Sequence, residues 1–432
     1  AVEEIRLGNA TIRCTHVMAK LCLPPFFLNG DWRESWSLES LVRSEMGQFS
    51  DEWLVHDEWA KRTGYNRAID GKPSLLSQHG HGKVPIEIEG PYSAADAILN
   101  ARLYDHLVKN TYEFEELAPA IALEHRFLPV LVAAELAGFP IDEEYCSEMT
   151  ALLRPKVEDL DSALAKLVGA SFNPRSYKDT ESLLLKVLRL PPPVARTREG
   201  NYSFDYDSLM AMKNPITDLL AEHLKLDHLL GSYDELLTKS TRGSDGLLRI
   251  HSSFNQNGAY TGRLSSEHPN LQNQRKDGGI RDAFIAPPGY AIVDKDFKQM
   301  EYAIHAHYSG DEGLIEKFNN DPTFDIHQLV ADELGISRAD AKTINFGIIY
   351  GMGARKFAAT LKVGIQTAYG YLNSYYERFP GVQALRRRVD ATVEARGFLR
   401  DLYRRRQHVQ RGKSYKGVNL LIQGLCSSIF KA

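Results

Sequence analysis

The sequence predicts an α+β fold made of more than one domain. Its 432 residues exceed one ordinary domain and suit two or three. Residues 120–240 read as mostly helical, with long amphipathic patterns. After Thr238 the texture changes: Leu247–Phe254 and Tyr290–Asp296 read as strands, and closely spaced helical patterns follow.

Composition narrows the class. Hydrophobic residues make up 43% and charged residues 25%, the balance of a soluble globular protein. No apolar run is expected to reach transmembrane length, and no basic start with an apolar core opens the chain as a secretory signal. Cys14, Cys22, Cys146 and Cys426 are scattered without a CxxC pair. They read as reduced thiols of an intracellular protein, not as a zinc site or disulfide framework. The chain begins without Met and reaches Ala432 inside an expected helix from Gln423, so it is expected to be a fragment.

The net charge of −4 hides an asymmetry. From Lys239 onward there are 28 Lys and Arg against 19 Asp and Glu; residues 1–238 hold 24 against 37. A basic C-terminal half is the footprint of a polyanion binder, with solvated surface charge as the alternative.

Taken in order, residues 1–130 mix short apolar runs with loops. Ser74–Pro85, rich in Gly, His and Ser, reads as a loop. Tyr92–Leu107 is helical by the spacing of Ala95, Ile98, Leu99, Leu103 and Leu107. Phe114–Ala137 is largely helical, Gly138–Asp142 a turn, and Asp142–Val168 a second long helix. Pro191-Pro-Pro193 with Thr197 and Gly200 marks an irregular insertion, and Thr217–Leu237 is helical again. Further helices are expected at about 299–308, 310–318, 325–334, 337–351, 366–377 and 380–395.

Chemistry concentrates in the second half. Arg338, Lys342, Phe346 and Tyr350 recur at intervals of four, so they form one stripe along a helix. Two cations can grip a triphosphate and two rings can stack on a base. A basic surface helix with its aromatics in the core fits the same pattern. Gly347 and Gly351 offer close approach to the backbone. Asp294 and Asp296 share one face of the expected strand and suit magnesium, which takes one or two carboxylates plus substrate phosphates. Alternatively, Asp296 caps the next helix. Thr261–Ser266 and His268–Asn273 are dense in uncharged hydrogen-bonding groups that suit minor-groove acceptors, or simply a polar loop. Arg378–Lys416 holds twelve basic residues against three acidic ones, Asp390, Glu394 and Asp401, which suits phosphate-backbone contact or a solvated face.

These blocks, in this order, resemble the family A DNA polymerases, the group of bacterial DNA polymerase I and phage replicases. Asp296-Phe-Lys-Gln-Met-Glu301 is similar to their motif A, and Arg338–Gly351 to motif B. Thr261–Ser266 with Pro269–Asn273 resembles the primer-template block, and Asn419-Leu-Leu-Ile-Gln423-Gly424 the block before motif C. Glu135 with Gly138–Asp142 resembles the start of the thumb. Tyr92-Ser-Ala-Ala-Asp96 resembles the third exonuclease motif.

The resemblance implies a right-hand polymerase: a palm sheet with helical fingers and thumb, preceded by the C-terminal part of a 3′-5′ exonuclease-like domain. The implied divisions are 1–115 for the exonuclease-like part, 116–240 thumb, 241–310 palm, 311–400 fingers and 401–432 a return to the palm. Asp296 and the Phe297 carbonyl would hold magnesium, two ions in the intact enzyme. Lys342 would also protonate the pyrophosphate leaving group. Arg338, Lys342 and His327 would hold the triphosphate, Phe346 would stack on the base, and Gln299 would belong to the nucleotide site. Glu301 with Tyr350 behind it would exclude a 2′-hydroxyl. Phe346 in place of Tyr implies poor use of dideoxynucleotides. Arg263, Asn270, Gln272, Asn273, Asn419 and Gln423 would contact DNA. Tyr92 and Asp96 would be an exonuclease remnant.

The sequence also departs from the family pattern. It contains no His-Asp-Glu of motif C after the Gln423 block and neither of the first two exonuclease motifs. Lys298 and Ala303 stand where Ser and Arg are common, Asp294 where an acid is not usual, and Tyr415 where many relatives are basic. The expected function is DNA-templated DNA synthesis with primer-template DNA and dNTPs as partners, without a membrane, in the cytoplasm of a bacterium or phage-infected cell. Replisome partners are undefined, and this stretch alone is expected to be impaired. Two alternatives stay open. A non-catalytic primer-template-binding subunit would need a partner chain. A single-subunit RNA polymerase relative would share the Arg/Lys stripe, and Glu301 argues against it.

Overall fold

In the computed structural model, residues 15–24, 37–48, 50–63, 84–169, 172–197, 200–321 and 323–432 are described. The Ser74–Pro85 loop lies outside them except for Val84 and Pro85, as does Cys14. The structure mixes helices with small antiparallel sheets and divides into two compact units. One comprises Ala1–Leu131, Gln256–Leu264 and Asp296–Ala432; the other comprises Val132–Asn255 and Ser265–Lys295.

In the second unit, the Glu143–Val168 and Pro215–Lys239 helices pack together through Leu153, Val157, Leu229, Leu230, Tyr233 and Leu236. Asp142 starts the first helix by accepting from the Tyr145 N–H at 2.9 Å. Asn214, followed by Pro215, caps the second through a reciprocal pair with Thr217. Each cap satisfies an otherwise unpaired helix-end amide, worth about 1 kcal/mol. Residues 191–197 form no helix, and Arg196 makes an isolated bridge to Tyr202 with the guanidinium 3.8 Å over the ring.

Two expectations in this unit are corrected. Gly138–Asp142 is not only a turn: Phe139–Ile141 is a strand, antiparallel to Leu248–Ile250, which also pairs with Thr241–Arg242. Pro140 is tolerated because the strand lies at the sheet edge. The backbone at Gly138 has φ +63°, and a Cβ there would meet the His251 ring at 2.6 Å, so glycine is required. Conversely, Tyr290–Asp296 is not a strand. It pairs with no other strand among the described residues, and Tyr290, Ile292 and Val293 are exposed. Apolar alternation selects extended backbone, but a ladder needs a second strand beside it.

In the first unit the expected helices appear as Met300–Ser309, Glu312–Asn320, Ile326–Leu334, Arg338–Ile349, Ile365–Arg378 and Pro380–Arg396, with Ala354–Leu361 added. Their core runs through Tyr302, Ile304, Val330, Ile344, Ile348, Phe357, Val382 and Val389 onto Leu421, Ile422 and Leu425 of the Gly417–Lys431 helix. A hairpin of Phe398–Arg400 with Arg406–His408 joins this core. The N-terminal helices Thr15–Cys22, Leu38–Met46 and Ile86–Asn110 form a separate cluster through Met18, Leu41, Val42 and Leu103.

The Phe114–Ala137 segment is a 3-10 turn leading into the Ala118–Ala137 helix. By length and composition it could cross a membrane, which corrects the expectation that no run reaches that length. The core helix of a soluble protein passes the same test, and this one carries Glu124 with no exposed surface.

Candidate nucleotide and primer site

The site is built in the first unit on two helices and a loop. The Arg338–Ile349 helix begins at Ser337, whose hydroxyl accepts from the Asp340 N–H at 3.0 Å. Ala341, Ile344, Asn345, Ile348 and Ile349 face the core. The stripe therefore falls on the other face: Arg338, Lys342 and Tyr350 are exposed and Phe346 half-buried. The Phe346 and Tyr350 rings stack 6.0 Å apart at 20°, and the Lys342 ammonium lies 6.0 Å from the Phe346 ring. Tyr350 stays outside the core, while Phe346 lies at its edge, packed against it with one side uncovered.

The two glycines of this segment serve the protein itself. A Cβ at Gly347 would meet the Phe357 ring at 2.5 Å; one at Gly351, where φ is +66°, would meet the Tyr415 carbonyl oxygen at 2.1 Å. The expected close approach is thus taken by protein groups.

Beneath the stripe, the Tyr302 ring meets Phe346 edge-on at 5.4 Å and His327 at 4.9 Å. Asn345 Nδ2 donates to His327 Nδ1 at 3.0 Å and to the Ile326 carbonyl at 3.4 Å. The Ile326 carbonyl fixes that amide as the donor, so His327 Nδ1 accepts and Nε2 carries the hydrogen. Burial lowers the His327 pKa; the Asp325 charge opposes this, and the Arg338 and Lys342 charges add to it. His327 is therefore a neutral donor, not a third cation.

Asp325 caps the His327 helix through the His327 N–H at 2.8 Å and binds Arg338 at 2.6 and 2.9 Å. Burial raises its pKa, but the Arg338 bonds and helix amides outweigh this and lower it. Gln299, in left-handed backbone, donates to the Phe324 carbonyl at 2.6 Å and accepts from the Ile326 N–H at 3.2 Å. Both ends of its amide hold the start of the helix that carries His327.

Glu301, in the first turn of the Met300–Ser309 helix, forms an ion pair with Arg263 of the polar loop. The residue expected to gate the sugar and the one expected at the primer terminus are thus partners. Gln423 is buried and donates to the Tyr350 hydroxyl at 3.1 Å. The buried amide oxygen of Asn419 has no hydrogen-bond partner among the described residues.

Asp296 and Phe297 are exposed. The next helix starts at Gln299 without a side-chain cap, so Asp296 does not act as one. No group of three or more His, Cys, Asp or Glu that could hold a metal occurs among the described residues. The fit to magnesium is one exposed carboxylate and a neighbouring carbonyl, the least that phosphate-bound magnesium accepts from protein. Asp294, Asn270, Gln272 and Asn273 belong to the other unit, all exposed; Asn270 accepts from the Gln272 N–H at 3.0 Å.

Tyr92 and Asp96 lie on the Ile86–Asn110 helix. Asp96 accepts from Trp53 Nε1 at 2.7 Å, and the Tyr92 ring is 4.5 Å from that of His56. Cys22, Cys146 and Cys426 are buried free thiols; burial raises the first two to about 11 and the third to about 12.

The basic 378–416 run is only partly available to phosphate. Arg400 pairs with Glu113 and Glu116, Arg406 is buried 4.6 Å from the Phe398 ring, and Arg405 is buried against Glu124. Composition cannot distinguish such committed arginines from a solvated face. Nor did sequence reasoning find Tyr302, Asp325, Asn345 or the Glu124 cluster. Tyr302 alone had a signal, an aromatic beside Glu301; the others are ordinary polar residues until the fold gathers them.

Residues 143–432 match the DNA polymerase family A domain. The chain is 32% identical to DNA polymerase I of Pseudomonas aeruginosa over 426 residues, covering 92% of this chain and 45% of that protein. It is likewise 32% identical to the thermostable DNA polymerase I of Thermus caldophilus over 368 residues, 78% of this chain and 43% of that one. It thus spans less than half the length of these curated relatives. Among solved structures it is similar to the POL domain of Pol1 from M. smegmatis, in complex with DNA primer-template and dNTP. The TM-score is 0.68 at 25% identity, covering 96% of this chain and 69% of that one. The right-hand polymerase fold expected from the motifs is therefore the fold of this chain, which belongs to DNA polymerase family A.

Proposed function

We propose that this chain binds primer-template DNA and a complementary dNTP for DNA-templated DNA synthesis. The reaction transfers dNMP to a primer 3′-hydroxyl and releases pyrophosphate. The observation that carries the reading is the stripe of exposed Arg338, Lys342 and Tyr350 with half-buried Phe346, beside the paired charges of Glu301 and Arg263, which both act on Tyr350. Cations, a ring stack, a carboxylate and an arginine are the groups needed to bind triphosphate, base, sugar edge and primer end.

Arg338 and Lys342 hold the triphosphate, with His327 Nε2 as a neutral donor. Lys342 also gives its proton to the departing pyrophosphate. Phe346 receives the base. Glu301 fills the space a 2′-hydroxyl would need, and Tyr350 is held behind it by Gln423. Gln299 acts by placing His327. Asp296 with the Phe297 carbonyl would hold magnesium, which when bound supplies charge neutralisation to the transferring phosphoryl group. Asn270, Gln272, Asn273 and Asn419 extend the DNA contact. Tyr92 and Asp96 are read as a remnant, since Asp96 is committed to Trp53.

The test uses a primer-template ending in a dideoxynucleotide, so that binding is measured without chemistry. The complementary dNTP is expected to bind at least about tenfold tighter than the other three. Equal affinity for all four would reject the reading. With a 3′-hydroxyl primer, extension by these 432 residues alone is expected to be nearly absent, because they carry one motif carboxylate, Asp296. Robust magnesium-dependent extension would show that a second carboxylate substitutes, with Asp294 the first suspect.

A further inference from the structure

A buried charge cluster lies in the first unit, apart from the nucleotide stripe. Glu124, Asp401, Arg405 and Lys431 are each 5% exposed or less. Glu124 pairs with both Arg405 and Lys431, its carboxylate 2.8 and 3.1 Å from the Lys431 nitrogen. Asp401 accepts from the Arg405 N–H at 2.9 Å and the Ser428 hydroxyl at 2.7 Å. Apolar residues of similar size would often stabilise a core as well as buried ion pairs do. What the charges add is direction.

That direction converges on one loop. Lys431 Nζ donates to the Gln256 carbonyl at 2.9 Å and to the Gly262 carbonyl at 2.8 Å. It also lies 3.3 Å from Asn257 Oδ1, which Arg405 Nη1 approaches to 3.2 Å. The Gln256 amide returns to Glu124, and the Ser427 hydroxyl reaches the Gly262 carbonyl at 2.6 Å. One amine thus holds both ends of the 256–262 loop. Gly262 has φ +82°, and a Cβ there would meet the Arg405 guanidinium at 3.0 Å, so the loop has little room to settle elsewhere. The next residue is Arg263, which grips Glu301.

We infer that Lys431, supported by Glu124 and Arg405, is a positioning residue: it fixes the 256–262 loop so that Arg263 holds Glu301 where it selects the sugar. This rests on the proposed nucleotide site. Lys431 lies behind the loop, is buried, and touches no group assigned to substrate, so its effect on selection passes through Arg263.

The test measures dNTP and rNTP affinity of the whole chain on a dideoxy-ended primer-template, with thermal unfolding in parallel. Lys431→Met is expected to reduce the dNTP preference by about tenfold, the size of a typical coupling between neighbours. Glu301→Ala should reduce it at least as much, and the double variant no further. Lys431→Arg, which retains donors, should recover part of the preference. If Lys431→Met does not fold, Glu124→Gln with Lys431→Met removes both charges and is measured instead. A folded variant with lowered thermal stability and unchanged preference overturns the inference. If Glu301→Ala also changes nothing, the nucleotide site itself is wrong. If Glu301→Ala acts and Lys431→Met does not, only the positioning role is.

Discussion

Replacing Glu301 with Ala is expected to lower discrimination between dNTP and rNTP by about 100-fold, with affinity for the complementary dNTP nearly unchanged. The effect is large because the carboxylate does not stand alone. Its ion pair with Arg263 anchors it, and its charge acts on Tyr302 and Tyr350, so it lies near the face where the base would stack. A 2′-hydroxyl would therefore meet an anchored group. Alanine removes both the bulk and the anchor. Affinities on a dideoxy-ended primer-template measure the ratio directly, and an unchanged ratio would remove Glu301 from the sugar site.

Lys342→Ala is expected to weaken dNTP binding by about 10- to 100-fold, the roughly 1.5–3 kcal/mol typical of one charge-assisted hydrogen bond to phosphate. Lys342 forms no ion pair among the described residues; its ammonium lies over the Phe346 ring. Arg338 differs, because it must exchange Asp325 for the triphosphate. Arg338→Ala should therefore cost less than Lys342→Ala in the same titration. A larger loss at Arg338, or none at Lys342, would contradict this ranking of the two cations.

Legibility in the sequence followed the range of the interaction. Helices were read closely, including Met300–Ser309 and Arg338–Ile349, because their periodicity and caps are local. The four-residue stripe was visible for the same reason. Tyr290–Asp296 alternates like a strand yet forms none, because strand formation depends on a partner elsewhere in the chain. Phe139–Ile141 was missed because Gly138 and Pro140 signal a turn, while its ladder partner lies more than 100 residues away at Leu248–Ile250. Candidate site residues emerged one by one, but not their pairing. Nothing in the spacing of Arg263 and Glu301, or of Glu124, Arg405 and Lys431, brings them together. The basic run of 378–416 failed most plainly: Arg400, Arg405 and Arg406 hold the protein together, and composition records only that they are arginines.

On the proposed function, the exposed face of the Arg338–Ile349 helix, ending in Tyr350, receives the incoming nucleotide. Photo-crosslinking tests it most directly, with a base-azido dNTP complementary to the template on a dideoxy-ended primer-template and mass spectrometry of the digested chain. The adduct is expected on the peptide spanning Lys342–Tyr350, at Phe346 or Tyr350, and an excess of the natural complementary dNTP should abolish it. A competable adduct confined to any other segment would mean that this helix face does not receive the nucleotide.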